Sequence, residues 1–157
     1  PAFLGQLIQL LERFPPPRSW LQFEITESST IHDLEATNKF LNALRELGHA
    51  VCLDDFGSGS AAFQYLNALD VDSVKIDGIY VQEAQTSAKG KAFIRSIANL
   101  CRDLGIDTVG EMAETEASAD FLREVGVRFG QGYLFGKPTK DISGWRHSDR
   151  RRAVSAQ

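Results

Sequence analysis

The chain has 157 residues, of which 43% are hydrophobic and 24% are charged, and its formal net charge is −4. This length and composition are typical of one globular domain with a buried core. Coating duplex nucleic acid requires a basic face, so we expect no duplex nucleic acid partner for a chain that is acidic overall. The net charge does not exclude a small phosphate ligand bound through metal ions. The chain begins with Pro1 rather than Met, and we expect it to be a piece of a longer protein.

Cysteine and histidine usage argues against a zinc site. Cys52 and Cys101 fall in apolar segments and form no C-x-x-C pair, so we expect buried thiols in a reducing compartment, the cytoplasm. The three histidines are scattered and are predicted to be surface or structural residues: His32, His49 and His147. No apolar run approaches the roughly 18 residues of a membrane span, and no signal peptide is apparent.

Helix and strand patterns alternate along the chain. Apolar spacing predicts helices over 2–13, 34–47, 61–69, 87–104 and 115–125, and strands over 20–25, 51–53, 71–76, 106–110 and 127–130. Asp77 is predicted to lie in a turn. The pattern fades after Pro138, so we expect a partial domain over 1–142 and a charged tail or linker over 143–157.

Five alternations of strand and helix with short connections favour a parallel α/β sheet. The fold class predicted is the C-terminal five βα units of a (βα)8 TIM-type barrel, incomplete in this chain. An incomplete barrel has bare sheet edges, which we expect another copy, exchanged strands or further sequence to cover.

Acidic residues recur where the predicted strands end, at Glu24, Asp54, Asp55 and Glu111. Active sites of (βα)8 barrels lie at the carboxyl ends of the strands. Oxygen ligands without His or Cys suit Mg²⁺ or Mn²⁺, and two such ions assist phosphodiester hydrolysis. Lys75 could then orient water or a phosphate oxygen, and Gln131 could hydrogen-bond ligand or metal-bound water.

Each of these residues also has a purely structural interpretation. The acids could be helix caps (Glu24, Glu27), turn formers (Asp54, Asp55) or first-turn acids favoured by a helix dipole (Glu111, Glu114). Lys75 could be a structural partner of Asp55 or Glu111 and still lie in the site.

Five linked segments resemble motifs of the EAL-domain cyclic di-GMP phosphodiesterases, in order and over roughly 7–138. They are FEITES (23–28), LDDFGSG (53–59), VKID (74–77), EMAET (111–115) and QGYLF with KP (131–135, 137–138). The resemblance implies a (βα)8-type barrel that hydrolyses cyclic di-GMP to linear pGpG with Mg²⁺ or Mn²⁺, in bacterial signalling.

The resemblance also implies roles for individual residues. Glu24, Asp54 and Glu111 would be metal ligands, and Asp55 would bind the second metal. Lys75 would position the attacking water, so that Lys75, Glu111 and Asp55 form the catalytic set. The substrate-binding or loop-supporting residues would be Gln131, Glu27 and Glu114, the two acids steadying the loop after Asp55.

The sequence departs from the family pattern in several respects, among them Gly110 and Met112-Ala113, which stand where the family usually has A and G-V. The E-A-L signature, whose Glu is a metal ligand, and a metal-binding Asn should lie before Pro1. The segment 60–63 reads SAAF where the family usually has YSSL, in a loop that influences dimerisation and metal binding. We therefore expect the intact parent domain to be active and these 157 residues alone to have little activity. We also expect a homodimer or strand exchange, and a parent with other signalling domains.

Two other functions are compatible with parts of the pattern. One is a non-catalytic cyclic di-GMP receptor or dimerisation module that keeps the fold without the chemistry. The other is a phosphoacceptor receiver domain, which also has an acidic pair after a strand and a Lys-Pro. Asp77 is poorly placed for the acceptor that a receiver domain needs, because it lies just beyond Lys75.

Overall fold

A computed structural model describes residues 2–17, 20–26, 31, 33–57, 62–140 and 152–153. The chain divides into two compact units, 1–73 and 74–157. The first contains α1 (Ala2–Arg13), β1 (Gln22–Thr26), α2 (Leu34–Glu46), β2 (Ala50–Phe56) and α3 (Ala62–Ala68). β3 (Ser73–Ile76) begins at Ser73, which is the last residue of the first unit. The second contains α4 (Gly78–Thr86), α5 (Ala88–Asp103), β4 (Asp107–Gly110), α6 (Glu116–Val125), β5 (Phe129–Gly130) and β6 (Arg152–Ala153).

The first unit is built on the parallel pair β1–β2, with Thr26 opposite Asp54. Val51 and Leu53 are fully buried, which explains the continuous apolar run at the start of β2. Leu41 and Leu44 form the buried stripe of α2, as their helical spacing predicts. The first acids of β2, Asp54 and Asp55, follow its buried apolar run and are only partly buried.

Polar contacts fasten the segment between α3 and β3 to the rest of the first unit. The Asp70 carboxylate accepts hydrogen bonds from Asn38 Nδ2 at 2.9 Å and Asn42 Nδ2 at 2.8 Å. Asp72 accepts from the backbone N–H of Val51 at 2.8 Å and from Arg45 Nη2 at 3.0 Å. These two acids anchor the chain before it enters β3.

The second unit contains one helix that the apolar pattern did not predict. Asp77, expected in a turn, caps α4 by accepting a 2.8 Å hydrogen bond from the Ile79 N–H. α4 buries only Gly78, Val81 and Ala84 of its own residues, too few for a recognisable helical stripe. Gly90 lets α5 approach closely, since a Cβ there would lie 2.8 Å from Ala84 Cα.

β4 and β5 pair in parallel, with Val109 opposite Phe129 and Gly110 opposite Gly130. Gly110 leaves room for Leu122 of α6, whose Cδ2 would be 2.3 Å from a Cβ at that position. β6 pairs antiparallel with β5, so residues of the chain's own tail cover that edge of β5, an arrangement that the sequence pattern did not predict.

Most predicted elements are confirmed within a few residues of their bounds. Cys52, Cys101 and His49 are buried, while His32 and His147 lie outside the described residues. Burial in apolar surroundings raises the pKa of the Cys101 thiol to about 11. In the part of the chain that the structure describes, none of the helices combines the length and apolarity that a membrane crossing requires.

Candidate metal centre

The end of β2 places two adjacent carboxylates on a constrained turn. Asp55 has φ 57°, in the left-handed region that few non-glycine residues adopt, and Gly57 follows with φ 102°. The Asp55 N–H donates a 3.0 Å hydrogen bond to Asp54 Oδ1. Strained backbone of this kind is concentrated at functional sites, because the surrounding structure must maintain it.

Glu24 lies on the strand beside these aspartates. It pairs with Cys52, and Thr26 pairs with Asp54, two residues further along both strands. Because alternate residues of a strand share a face, Glu24 and Asp54 project from the same face of β1–β2. Glu24 is exposed, and its Oε1 accepts a 3.3 Å hydrogen bond from Gln22 Nε2. The first unit thus presents carboxylates from two neighbouring strands on one face.

The second unit brings Lys75 and Glu111 together as a largely buried ion pair. Lys75 Nζ lies 2.8 Å from Glu111 Oε1, with side-chain exposures of 8% and 20%. The backbone fixes this meeting, since the Glu111 N–H donates to the Ile76 carbonyl at 3.2 Å. One of the structural interpretations of Lys75, a pairing with Glu111, is therefore confirmed.

Gln131 follows β5 directly and contacts the segment 110–113, which contains Glu111. Its N–H donates to the Gly110 carbonyl at 2.9 Å, and its carbonyl accepts from the Ala113 N–H at 3.0 Å. Gly132 is required at this close approach, because a Cβ there would lie 2.3 Å from the Ala113 carbonyl oxygen. Lys75, Glu111 and Gln131 are thus carried by three strand ends of the second unit. The sequence pattern did not predict these backbone hydrogen bonds, and the only signal for them in the sequence is Gly132, the glycine that follows Gln131.

The other predicted site residues are placed less closely. Glu114 is exposed and precedes Thr115, the N-cap of α6, which begins at Glu116. The interpretation of Glu111 and Glu114 as first-turn acids is therefore wrong, because the helix starts after both. Glu27 lies outside the described residues.

The donor chemistry of these residues fits a hard divalent cation. The candidate ligands on each unit are carboxylates, which suit Mg²⁺, Mn²⁺ or Ca²⁺ better than Zn²⁺. The charge of Glu111 is balanced by Lys75, so a cation bound there would compete with an ammonium group. The carboxylate donors of each unit, taken separately, thus suit a divalent cation in their chemistry.

Parallel strands that alternate with helices and carry polar residues at their carboxyl ends are typical of a barrel-type domain. The family model described as "EAL domain" matches residues 1–138. The chain belongs to the EAL domain family.

Curated relatives carry names that agree with this family. The chain is 42% identical over 125 residues to the cyclic di-GMP phosphodiesterase PdeB of Shewanella oneidensis, covering 80% of this chain and 15% of the relative. It is 32% identical over 134 residues to the probable cyclic di-GMP phosphodiesterase PdeA of Escherichia coli, covering 85% and 18%. The chain thus spans less than a fifth of either protein.

Solved structures of EAL domains have the same fold. An EAL domain protein from Listeria monocytogenes matches with a TM-score of 0.79 and 33% identity, over 87% of this chain and 54% of that one. BlrP1 of Klebsiella pneumoniae, in complex with manganese and cyclic di-GMP, matches with a TM-score of 0.76 and 33% identity, over 88% and 35%. The predicted fold class is confirmed, and within the described residues five strands alternate with helices, β1 to β5, where a complete (βα)8 barrel has eight.

Proposed function

We propose that a complete EAL domain containing these 157 residues hydrolyses cyclic di-GMP to linear pGpG with divalent metal ions. The observation that carries the proposal is the buried Lys75–Glu111 pair at a strand end of a chain whose other strand ends carry Glu24, Asp54 and Asp55. Burying a lysine and a glutamate costs desolvation, and that cost supports a functional role for the pair. The names of the relatives support the choice of substrate.

The residues that would hold the metal ions are Glu24, Asp54, Asp55 and Glu111, with Asp55 on the second ion. Bound Mg²⁺ or Mn²⁺ supplies an activated water and offsets the charge on the phosphodiester. This assignment rests on the resemblance and on the oxygen-only donors, and it makes the left-handed turn at Asp55 part of the site's construction.

The remaining residues position the reactants. We assign Lys75 to orient the attacking water, because an ammonium group donates up to three hydrogen bonds and Glu111 fixes its position. Gln131 is held by two backbone hydrogen bonds, so its side chain starts from a fixed point when it contacts the ligand. Glu27 and Glu114 are assigned to support the loop after Asp55.

The chain alone is proposed to have little activity. By resemblance, the family's signature Glu and an Asn are also metal ligands, and neither motif occurs at a matching position in these residues. We further propose that the protein acts in the cytoplasm, as a homodimer or with exchanged strands, alongside other signalling domains.

The test is conversion of cyclic di-GMP to pGpG, followed by ion-exchange chromatography with Mg²⁺ or Mn²⁺. We expect turnover by the complete domain and very little by the 157-residue chain. Cyclic di-GMP bound by the complete domain without conversion would instead support the receptor alternative. Appreciable turnover by the chain alone would overturn the proposal that its metal centre is incomplete.

A further inference from the structure

The second unit contains a cavity at the amino ends of β4 and β5, away from the strand ends that carry Glu111 and Gln131. Its volume is about 430 Å³, within the range of small-molecule pockets. It lies where α5 and α6 end, and three arginine residues are among those that line it: Arg102, Arg123 and Arg128. A chain with net charge −4 thus concentrates positive charge at one concave place.

Two of these arginines already have carboxylate partners. Arg128 forms an ion pair with Asp107, the one acid lining the cavity, and its Cζ lies 5.0 Å from the centre of the Phe129 ring. Arg123 pairs with Asp120, one helical turn earlier in α6. The negative charge inside the cavity is therefore offset by Arg128.

Arg102 differs from the other two. Its Nη2 donates a 2.7 Å hydrogen bond to the neutral side chain of Asn99, and among the described residues it has no carboxylate within ion-pair distance. A guanidinium group has five N–H donors in a planar fork that matches phosphate and carboxylate groups. Arg102 is thus a cation on the cavity wall whose charge is not neutralised within the described structure.

The rest of the lining adds shape and apolar surface. Gly126 adopts φ 89°, and a Cβ there would be 3.9 Å from Arg102 Nη1, so the guanidinium lies along the backbone of this turn. Ala98 and Val127 are buried, and Ile106 is half-buried. The lining of the cavity therefore combines apolar residues with cationic ones.

Helix dipoles account for only part of this arrangement. Basic side chains in the last turn stabilise a helix, which explains Arg102 of α5 and Arg123 of α6. Arg128 precedes a strand, however, and a dipole effect requires no cavity. The convergence of all three on one concave space favours a ligand.

We propose that this cavity binds a small molecule of nucleotide size that bears a phosphoryl group, with Arg102 as the anchor for the phosphate and the apolar lining residues as the support for the remainder. A phosphate monoester satisfies both kinds of lining residue, whereas inorganic phosphate satisfies only the cationic ones. The proposal does not depend on cyclic di-GMP hydrolysis.

Isothermal titration calorimetry on the 157-residue chain tests the proposal. The probes are adenosine 5′-monophosphate, adenosine and inorganic phosphate, all with EDTA so that no metal ion recruits phosphate elsewhere. We expect saturable 1:1 binding of the monophosphate, and weaker binding of both adenosine and phosphate. Removing a charge-assisted contact by Arg102→Gln should weaken binding of the monophosphate roughly tenfold.

Arg95→Gln is the matched control, since Arg95 lies on the same helix, is half-exposed and does not line the cavity. It should bind as the wild type does. Arg102→Lys, which keeps the charge but not the fork, should give an intermediate affinity and shows whether the fold tolerates change at this position. Absent binding, or equal binding by wild type and Arg102→Gln, would overturn the proposal, as would an equal loss in Arg95→Gln.

Discussion

The two ends of β4 carry opposite kinds of polar structure. At its carboxyl end, Glu111 is paired with Lys75 and both side chains are largely buried. At its amino end, Asp107 is paired with Arg128, and both side chains are at least one-third exposed. Exposed pairs contribute little and are easily replaced, whereas a buried pair costs desolvation that only good geometry offsets. The difference supports the proposal that the carboxyl end of β4 serves the chemistry of the domain.

The first unit repeats this contrast with acids alone. Asp70 and Asp72 have amide, guanidinium and backbone N–H donors around them, and they fasten one segment of chain. Asp54 and Asp55 are adjacent near the end of β2, and Asp55 adopts the left-handed region with φ 57°. This strained backbone supports the proposal that the two carboxylates bind a cation.

The largest expected effect is that of Lys75→Met. It leaves Glu111 partly buried without its ammonium partner, which should lower the free energy of unfolding by about 3 kcal/mol. Urea denaturation measures this change. Lys91→Met, which removes an exposed pairing with Glu124, is the control and should have little effect. Similar losses in both variants would show that burial does not distinguish the Lys75–Glu111 pair from an exposed pair.

The Lys75→Met variant also tests the assignment of Glu111 as a metal ligand, without an activity assay. If Glu111 is a metal ligand, Mg²⁺ should replace the missing positive charge. Excess Mg²⁺ should then raise the Tm of Lys75→Met in the complete domain by more than it raises that of the wild type. An equal shift in both proteins would argue against competition between Lys75 and the cation.

Gly110→Ala tests how tightly the carboxyl end of β4 is built. The new Cβ would lie 2.3 Å from Leu122 Cδ2 in a packed core, so we expect a loss of about 2 kcal/mol. Gly5→Ala in α1, where no atom lies within 4 Å, should instead raise stability by about 0.5 kcal/mol. Chemical denaturation of both variants compares them, and a neutral Gly110→Ala would contradict the close packing.

A smaller effect is expected for Asp72→Asn. An asparagine can accept from the Val51 N–H but no longer pairs ionically with Arg45, so the loss should be about 1 kcal/mol. Asp103→Asn, on an exposed residue at the end of α5, serves as the control and should be neutral. The midpoint of urea unfolding distinguishes the two, and identical midpoints would mean that Asp72 is not an anchor.

The smallest effect concerns pH and Asp70. Hydrogen bonds from Asn42 and then Asn38 lower the pKa of this carboxyl below its ordinary value of 3.8. A lowered folded-state pKa gives stability that is complete above the unfolded-state pKa and is lost as the pH falls through the folded value. The urea concentration at the midpoint of unfolding should therefore fall slightly less in Asp70→Asn than in wild type when the pH is lowered from neutral to below 3.8. Parallel curves would contradict the assignment.

Much of the fold could be predicted from apolar spacing, because α2, β2, α5 and α6 each bury a regular stripe or run. α4 was missed because close packing against Gly90, not a stripe of large side chains, decides its position. β6 was missed because strand pairing by a charged tail has no local apolar signal.

The site was predictable to the extent that acids at strand ends indicate a metal. The motifs identified Glu24, Asp54, Asp55, Lys75, Glu111 and Gln131 as candidates, and the structure places each at or near a strand end. The left-handed backbone of Asp55 and the backbone bonds of Gln131 depend on tertiary contacts. The three-arginine cavity had no sequence signal, because its lining comes from separate elements.

The central claim is that the acids at the carboxyl ends of the strands bind cations and that those at the amino ends do not. Its most direct test is Mn²⁺ binding by the complete domain. Electron paramagnetic resonance of free Mn²⁺ measures it in wild type, Asp54→Asn and Asp72→Asn. We predict that wild type and Asp72→Asn bind Mn²⁺ equally, and that Asp54→Asn binds far more weakly. Equal binding by all three proteins would contradict the claim.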